Sequence, residues 1–370
     1  MTLSNDVLKQ DERAIFGLRS LYRSYGYSQF KMSKFEEYDL YVRNKSFLVS
    51  DHIITFTDTN GKLMALKPDV TLSIVKNSKD TPDCVQKVFY DENVYRVSGG
   101  HSSYREIMQA GLECIGAVDT YCIAEVLTLA LESLSRISPD FVLDVSHLGI
   151  LSAVLEAIPV SDAGKAQMLH CVGEKNLHGV DEVCISEGID PEAASTLKAL
   201  IGGYGAVSSV LPKLAGLLDG ESARMLDELA GVLCAVPSDK LRIDFSVTGD
   251  LRYYNGIVFK GFVNGIPQSI LSGGQYDNLM KKMGRKSGAI GFALYLDLLE
   301  ELAEAPKKYD VDTVLLYDDA VTVHAVMQAV ASLTDAGKTV SAQRAIPEKM
   351  RYRTLLKLTE KGVETVETNA

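Results

Sequence analysis

The spacing of apolar and polar positions changes period several times along the chain. Between Asp6 and Tyr25, residues Leu8, Ile15, Phe16, Leu18 and Leu21 recur near helical spacing and predict an amphipathic helix. The segment IITFTDTNGKLMAL then alternates on both sides of Asp58-Thr59-Asn60-Gly61, which predicts a hairpin. LKPDVTLSIVKN reads as a helix entry, with Pro68 and Asp69 in its first turn. Two further strand patterns, QKVFYDENVYRV and YREIMQAGLECIG, flank a loop from Ser98 to Ser103. From Thr120 to about Leu233 the spacing is mostly helical, as in TYCIAEVLTLALESL, GILSAVLEAI and AASTLKALI. Strand patterns return in KLRIDFSV, YYNGIVFKGFV and IPQSILSGG, and AIGFALYLDLLEEL is read as a return to helix.

A shift in composition at Ala305-Pro306-Lys307-Lys308 predicts a linker. Beyond it VDTVLLY, TVHAVMQAVASLTDAG, KTVSAQ, EKMRYRTLLKLTEKG and VETVE read as strand, helix, strand, helix and strand, a small α/β unit. The expected division is a core over residues 1–305 with a helical insertion at about 150–236, and a module over 306–370.

At 370 residues the chain is long enough for more than one domain, and its 46% apolar and 24% charged content is ordinary for a globular protein. No run approaches the roughly 18 apolar residues of a membrane span. The opening MTLSNDVLKQDERAIF resembles neither a secretory nor a transit peptide. Six scattered cysteines without a C-x-x-C pair read as buried thiols, so a cytoplasmic location without metal or disulfides is expected. The formal charge of −11 argues against a dedicated nucleic-acid binder. The region from Pro306 carries nine basic and nine acidic residues and is not basic.

If YREIMQAGLECIG is a strand, Arg105, Ile107, Gln109, Gly111 and Glu113 share one face, and Met108, Ala110, Leu112 and Cys114 the other. A cation, an amide and a carboxylate around a glycine would suit a zwitterionic small molecule. Positions 105, 109 and 113 also fit one face of a helix, or a strand face that simply meets water. Asp69 or Thr71 could merely cap a helix, Gly273-Gly274 could be a plain turn, and His101 and His147 are single histidines suited to structural roles.

Taken together and in order, these segments resemble the catalytic core of a class II histidyl-tRNA synthetase over roughly residues 10 to 300. TFTDTNGKLMALKPDVT is similar to that family's strand pair ending in L-R-P-E-x-T, and FYDENVYRV…YREIMQAGLECIG to its motif 2. YYNGIVFKG is similar to its Y-Y-x-x-x-V-F segment, and LSGGQYDNLMKKMG…AIGFALYLDLL to its motif 3 region. The resemblance implies an α+β fold: an antiparallel sheet flanked by helices, with a helical insertion and a small C-terminal module of truncated anticodon-binding type. It implies a histidine pocket in which Asp69 and Thr71 hold the ammonium. Gln109 and Glu113 supply an amide and a carboxylate, Arg105 shares their strand face, and Tyr254 and Tyr276 line the imidazole.

The departures from the family pattern fall on the nucleotide side. Arg96 keeps the motif 2 arginine, a residual nucleotide-site residue, but Ser103 stands where a second arginine is expected. Gly249 takes the place of the arginine four residues before the tyrosine pair, Leu298 that of the motif 3 arginine, and Ser33 that of the motif 1 proline. Arg252 is near Gly249 in sequence but is expected to point elsewhere. Adenylate formation needs cations where negative charge develops, and each one lost is worth on the order of 10²–10³ in rate. LDVSHLGIL, with Asp144 and His147, also looks like the L-D-x-x-H-x-G-I segment of a synthetase paralogue, the regulatory subunit of short-form ATP phosphoribosyltransferase. That likeness implies a non-catalytic partner of the short catalytic subunit, required for the first step of histidine biosynthesis. It further implies feedback regulation by L-histidine, a homodimer within a hetero-oligomer, and no cofactor, membrane or nucleic-acid partner. An active histidyl-tRNA synthetase and a stand-alone histidine sensor are the alternatives.

Overall fold

The computed structural model describes residues 8–45, 48, 53–80, 83–97, 104–249, 253–302 and 308–369. The loop from Ser98 to Ser103, with His101, and the Arg252 position lie outside them. The chain forms two compact units, Met1–Leu302 and Ala303–Ala370.

In the first unit the strands are, in chain order, β1 (Ser28–Gln29), β2 (Phe35–Glu37), β3 (Thr55–Thr57), β4 (Leu63–Leu66), β5 (Val85–Val97) and β6 (Tyr104–Gly116). They continue with β7 (Phe141–His147), β8 (Gly205–Ala206), β9 (Leu241–Ile243), β10 (Ile257–Val263), β11 (Leu271–Gln275) and β12 (Gly288–Tyr295). Nine of them form one sheet in the order β1-β5-β6-β12-β11-β10-β7-β9-β8, and β2, β4 and β3 form a small second sheet. The large sheet is mainly antiparallel, with β1–β5 and β7–β9 parallel. This is the antiparallel sheet with flanking helices that the resemblance implies.

One face of the large sheet is a hydrophobic layer. Phe89, Ala110, Leu112, Leu143, Phe259 and Phe292 pack in a core that includes Leu18 and Leu21 of the helix Gln10–Ser24 and Leu127 and Leu134 of the helix Thr120–Ile137. The opposite face carries the polar positions of β6. Residues 105–113 therefore form a strand and not a helical face, and the run is long because β6 pairs along its whole length with β5.

The β3–β4 turn forms as its sequence requires. Asp58 Oδ1 accepts from the backbone N–H groups of Asn60 and Lys62, both at 2.8 Å, and Gly61 takes φ +80°. Between Leu148 and Cys234 the chain is helical apart from β8.

Three expectations are corrected. AIGFALYLDLLEEL is not a helix: its first part is β12 and Leu296–Glu301 is a 3-10 turn. Ile290, Phe292 and Leu294 face the helices, while Ala289 is buried on the other side, so the strand is apolar on both faces and loses its alternation. β7 lies within the stretch read as mostly helical. In the second unit β13 (Val311–Leu316), β14 (Val340–Gln343), β15 (Tyr352–Thr359) and β16 (Gly362–Thr368) form a sheet in the order β14-β13-β15-β16, with one helix among the described residues, Val323–Asp335. EKMRYRTLLKLTEKG thus contains a strand, with Leu356 and Leu358 facing the helix side and a short return into β16.

Candidate functional site

The cavity-bearing face of the large sheet is hollowed by glycines. Gly111 of β6 lies opposite Tyr90 of β5 and Ala293 of β12, and Gly291 lies opposite Glu113. A methyl group on Gly111 would meet the Tyr90 hydroxyl at 2.6 Å, and one on Gly291 would collide with the Glu113 carboxylate. Bare backbone at these points leaves a cavity of about 440 Å³ above the sheet.

Its wall is completed by the LKPD segment, which β5 anchors from behind. Lys67 is buried and its Nζ pairs with Glu92 at 2.6 Å. Tyr95 donates its backbone N–H to the Lys67 carbonyl, and Arg96 Nε donates to the Pro68 carbonyl at 2.8 Å. These contacts swing Asp69 and Thr71 over the sheet. The two readings of Asp69 coincide: Oδ1 accepts from the Leu72 N–H at the start of the helix Thr71–Asn77, and the side chain lines the cavity.

Glu113 is the polar centre. Thr71 Oγ1 donates to its Oε1 at 2.8 Å and the Tyr276 hydroxyl to its Oε2 at 2.6 Å. Burial pushes its carboxyl up to about 8, against the pull of those two hydrogen bonds, and the nearby Asp69 charge adds to the rise. Asp69 is also raised by burial, with the Arg96 guanidinium acting against the shift. Gln109 is 3% exposed and its Nε2 has no hydrogen-bond partner among the described residues, so the cavity presents an unfilled donor. Tyr276, buried, and Tyr254, half-buried, line the cavity, and loss of solvent raises both hydroxyls far above the usual phenol range.

The structure thus brings Asp69, Thr71, Arg96, Gln109, Glu113, Tyr254 and Tyr276 to one cavity. Arg105 does not line it. It lies four residues before Gln109, about 14 Å along a strand, and its side chain is solvent-exposed. Sequence reasoning missed Tyr90, Tyr253, Ser272 and Tyr295, which also line the cavity. Tyr253 stacks obliquely on Tyr254 and Tyr276, with ring centroids 4.6 and 5.7 Å away, and its place in the YYNG tyrosine pair was the available signal. The others became visible only through register: Tyr90 lies opposite Gly111, Tyr295 opposite Gln109 and Ser272 opposite Ala293.

On the rim, Gly249 takes φ +55°, a conformation side chains rarely adopt, and lines the cavity without offering charge. Leu298 packs against the hydrophobic core. His147 is structural: its Nδ1 accepts from the Ile150 N–H at 3.3 Å, capping the helix Leu148–Ala157, and burial lowers its pKa to about 4.

A family model described as histidyl-tRNA synthetase matches residues 3–299. The chain belongs to that family. Its relatives within the family carry two descriptions. An ATP phosphoribosyltransferase regulatory subunit from Ruminiclostridium cellulolyticum is 27% identical over 81% of this chain and 75% of its own length. A histidine–tRNA ligase from Methanococcus vannielii is 30% identical over 76% of this chain and 69% of its own. Among solved structures, an ATP phosphoribosyltransferase regulatory subunit/histidyl-tRNA synthetase from Bacillus halodurans shares the fold with a TM-score of 0.72 at 22% identity, covering 93% of this chain and 90% of that one. Among the described residues no helix is long and apolar enough to cross a membrane.

Proposed function

We propose that this chain is a non-catalytic regulatory subunit of short-form ATP phosphoribosyltransferase and that its cavity binds L-histidine. One observation carries the reading. The cavity keeps the amino-acid side, with Asp69, Thr71, Gln109, Glu113, Tyr254 and Tyr276, while Gly249 and Leu298 leave two expected phosphate cations missing. Carboxylates at 69 and 113 take the ligand's ammonium, the Gln109 amide donates to an acceptor, and the tyrosines border the imidazole. Without those cations the developing charge of adenylate formation is poorly held. Relatives named as regulatory subunits support the assignment.

Histidine then acts by binding one assembly state better than another, since equal binding to both would shift nothing. A homodimer is part of the proposal. Phe35 and Phe56 of the small sheet, stacked edge to face at 5.2 Å, are 46% and 37% exposed, a surface suited to a second copy. The second unit is read as a curtailed anticodon-binding-type module.

The test is reconstitution. Phosphoribosyl-ATP formation by the short catalytic subunit is measured with and without this chain, and histidine is then titrated. Stimulation followed by inhibition is expected; no stimulation removes the proposed role. A second reading, an active synthetase, is favoured by Arg96, which remains on the cavity wall. It requires histidine-dependent exchange of pyrophosphate into ATP.

A further inference from the structure

The unfilled donor of the cavity has an acceptor beside it that does not bond to it. In the β5–β6 register Gln109 lies directly opposite Glu92, and Cβ atoms so placed are about 4.5–5.5 Å apart. Glu92 is on the cavity face, since Tyr90 and Arg96, at even spacing from it along β5, both line the cavity. A carboxylate facing an amide across two strands can form an ordinary hydrogen bond, yet Gln109 Nε2 has no partner among the described residues. Within β6 the nearest residues on the same face, Ile107 and Gly111, offer no side-chain acceptor.

Lys67 takes the carboxylate instead. Its Nζ donates to Glu92 Oε2 at 2.6 Å, and the two side chains are 1% and 20% exposed. Holding the LKPD segment in place does not require this pair. The Lys67 N–H already donates to the Lys34 carbonyl at 3.1 Å and the Tyr95 N–H to the Lys67 carbonyl at 2.9 Å. Arg96 Nε adds its bond to the Pro68 carbonyl at 2.8 Å. A buried ion pair is also a poor source of stability, because desolvating two charges offsets most of their attraction. Neither anchoring nor stability therefore accounts for a lysine buried at this point, and the register supplies another role.

We propose that Lys67 is a positioning residue of the cavity: by drawing Glu92 away from Gln109, it keeps the Gln109 amide free for the ligand. This rests on the reading that the cavity binds histidine, whose carboxylate or ring nitrogen is the acceptor that Gln109 meets. Lys67 itself touches no ligand and acts through two other side chains. Without its ammonium, the Glu92 carboxylate turns across the strands and accepts from Gln109 Nε2. The ligand's acceptor must then break that internal bond before it can bind. Keeping the donor unpaired in advance removes this cost, which is preorganisation by a residue outside the cavity.

Crystal structures of the full chain and of Lys67→Met, both without ligand, test the positioning directly. In Lys67→Met the Glu92 carboxylate is expected within hydrogen-bond distance of Gln109 Nε2. A carboxylate that does not turn to Gln109 overturns the proposal, whatever the cavity binds. Histidine is then titrated by calorimetry. Lys67→Met is expected to bind about tenfold more weakly, and Lys67→Met/Glu92→Met, which also removes the competing acceptor, to recover most of that loss. A merely structural lysine gives no such recovery, so equal weakness in both variants overturns the proposal, as does full binding in Lys67→Met. Circular dichroism checks folding. Should Lys67→Met not fold, the double variant decides: binding near the wild-type level upholds the proposal and its loss overturns it. No histidine binding by the wild-type chain removes the ligand reading, while the two structures still decide what Lys67 does.

Discussion

The Tyr276 hydroxyl donates to Glu113 Oε2 at 2.6 Å, across 163 residues of sequence, in a fully buried setting. The bond orients the carboxylate that the proposed ligand ammonium meets. Tyr276→Phe removes the donor and keeps the ring. The Glu113 carboxyl then rises further, and histidine binding weakens by about tenfold or more. Titration calorimetry on the folded variant reads this; unchanged affinity shows that Tyr276 does not orient the carboxylate.

The raised Glu113 gives the site a pH signature. In the empty cavity the carboxyl is largely protonated at neutral pH, while a bound ammonium favours the carboxylate. Binding therefore releases a proton, and histidine affinity rises as pH increases toward about 8. Stability runs the other way. The folded-state pKa lies above the unfolded one, so the unfolded chain binds fewer protons between about 4.5 and 8, and Glu113 costs stability as pH rises through that window. Calorimetry in buffers of different ionisation enthalpy should detect the proton. Glu113→Gln should abolish its release and flatten the stability profile.

Glycine 291 tests whether the hollow matters as much as the polar groups. Its added methyl would overlap Glu113 Oε2 and the Leu112 carbonyl, and backbone cannot retreat far within a sheet. Gly291→Ala should displace the carboxylate, cost about 1–3 kcal/mol by overpacking, and reduce histidine binding to background. Thermal unfolding separates a folded, non-binding variant from a collapsed one.

How much of this site was legible depended on which face each strand buries. β6 was readable because Gln109, Gly111 and Glu113 alternate with Ala110, Leu112 and Cys114, so polarity marks the period even though both faces are buried. β12 has no such contrast: Gly291 and Ala293 face the cavity as small apolar positions, and the run looks like a buried helix. Strand parity puts Arg105 on the same face as Gln109 but does not give the distance along it. Tyr90 and Ser272 could not be placed, since cross-strand register is set by pairing far apart in sequence.

The missing cations give a further prediction. An arginine at 249 must adopt φ +55°, a strain of about 1–2 kcal/mol, with its Cβ 3.2 Å from the Tyr254 ring. Leu298→Arg would place a charge against the hydrophobic core. The wild-type chain and Gly249→Arg should therefore both give no histidine-dependent pyrophosphate exchange, and Gly249→Arg should unfold at lower temperature. Exchange by the wild-type chain would restore the synthetase reading.

His147 supplies the last test, of stability alone. Its imidazole is buried as the neutral base because Nδ1 must accept the Ile150 N–H, and burial holds its pKa near 4. Protonation removes the acceptor and places a charge beneath the helix Leu148–Ala157. The unfolded chain binds this proton near pH 6.5 and the folded chain only near 4, so stability falls as pH drops through that window. Asparagine is a strong N-cap residue without a titrating group. Denaturant titrations should show His147→Asn retaining the fold while losing this part of the acid sensitivity. An identical acid limb in both proteins would place the sensitivity elsewhere in the fold.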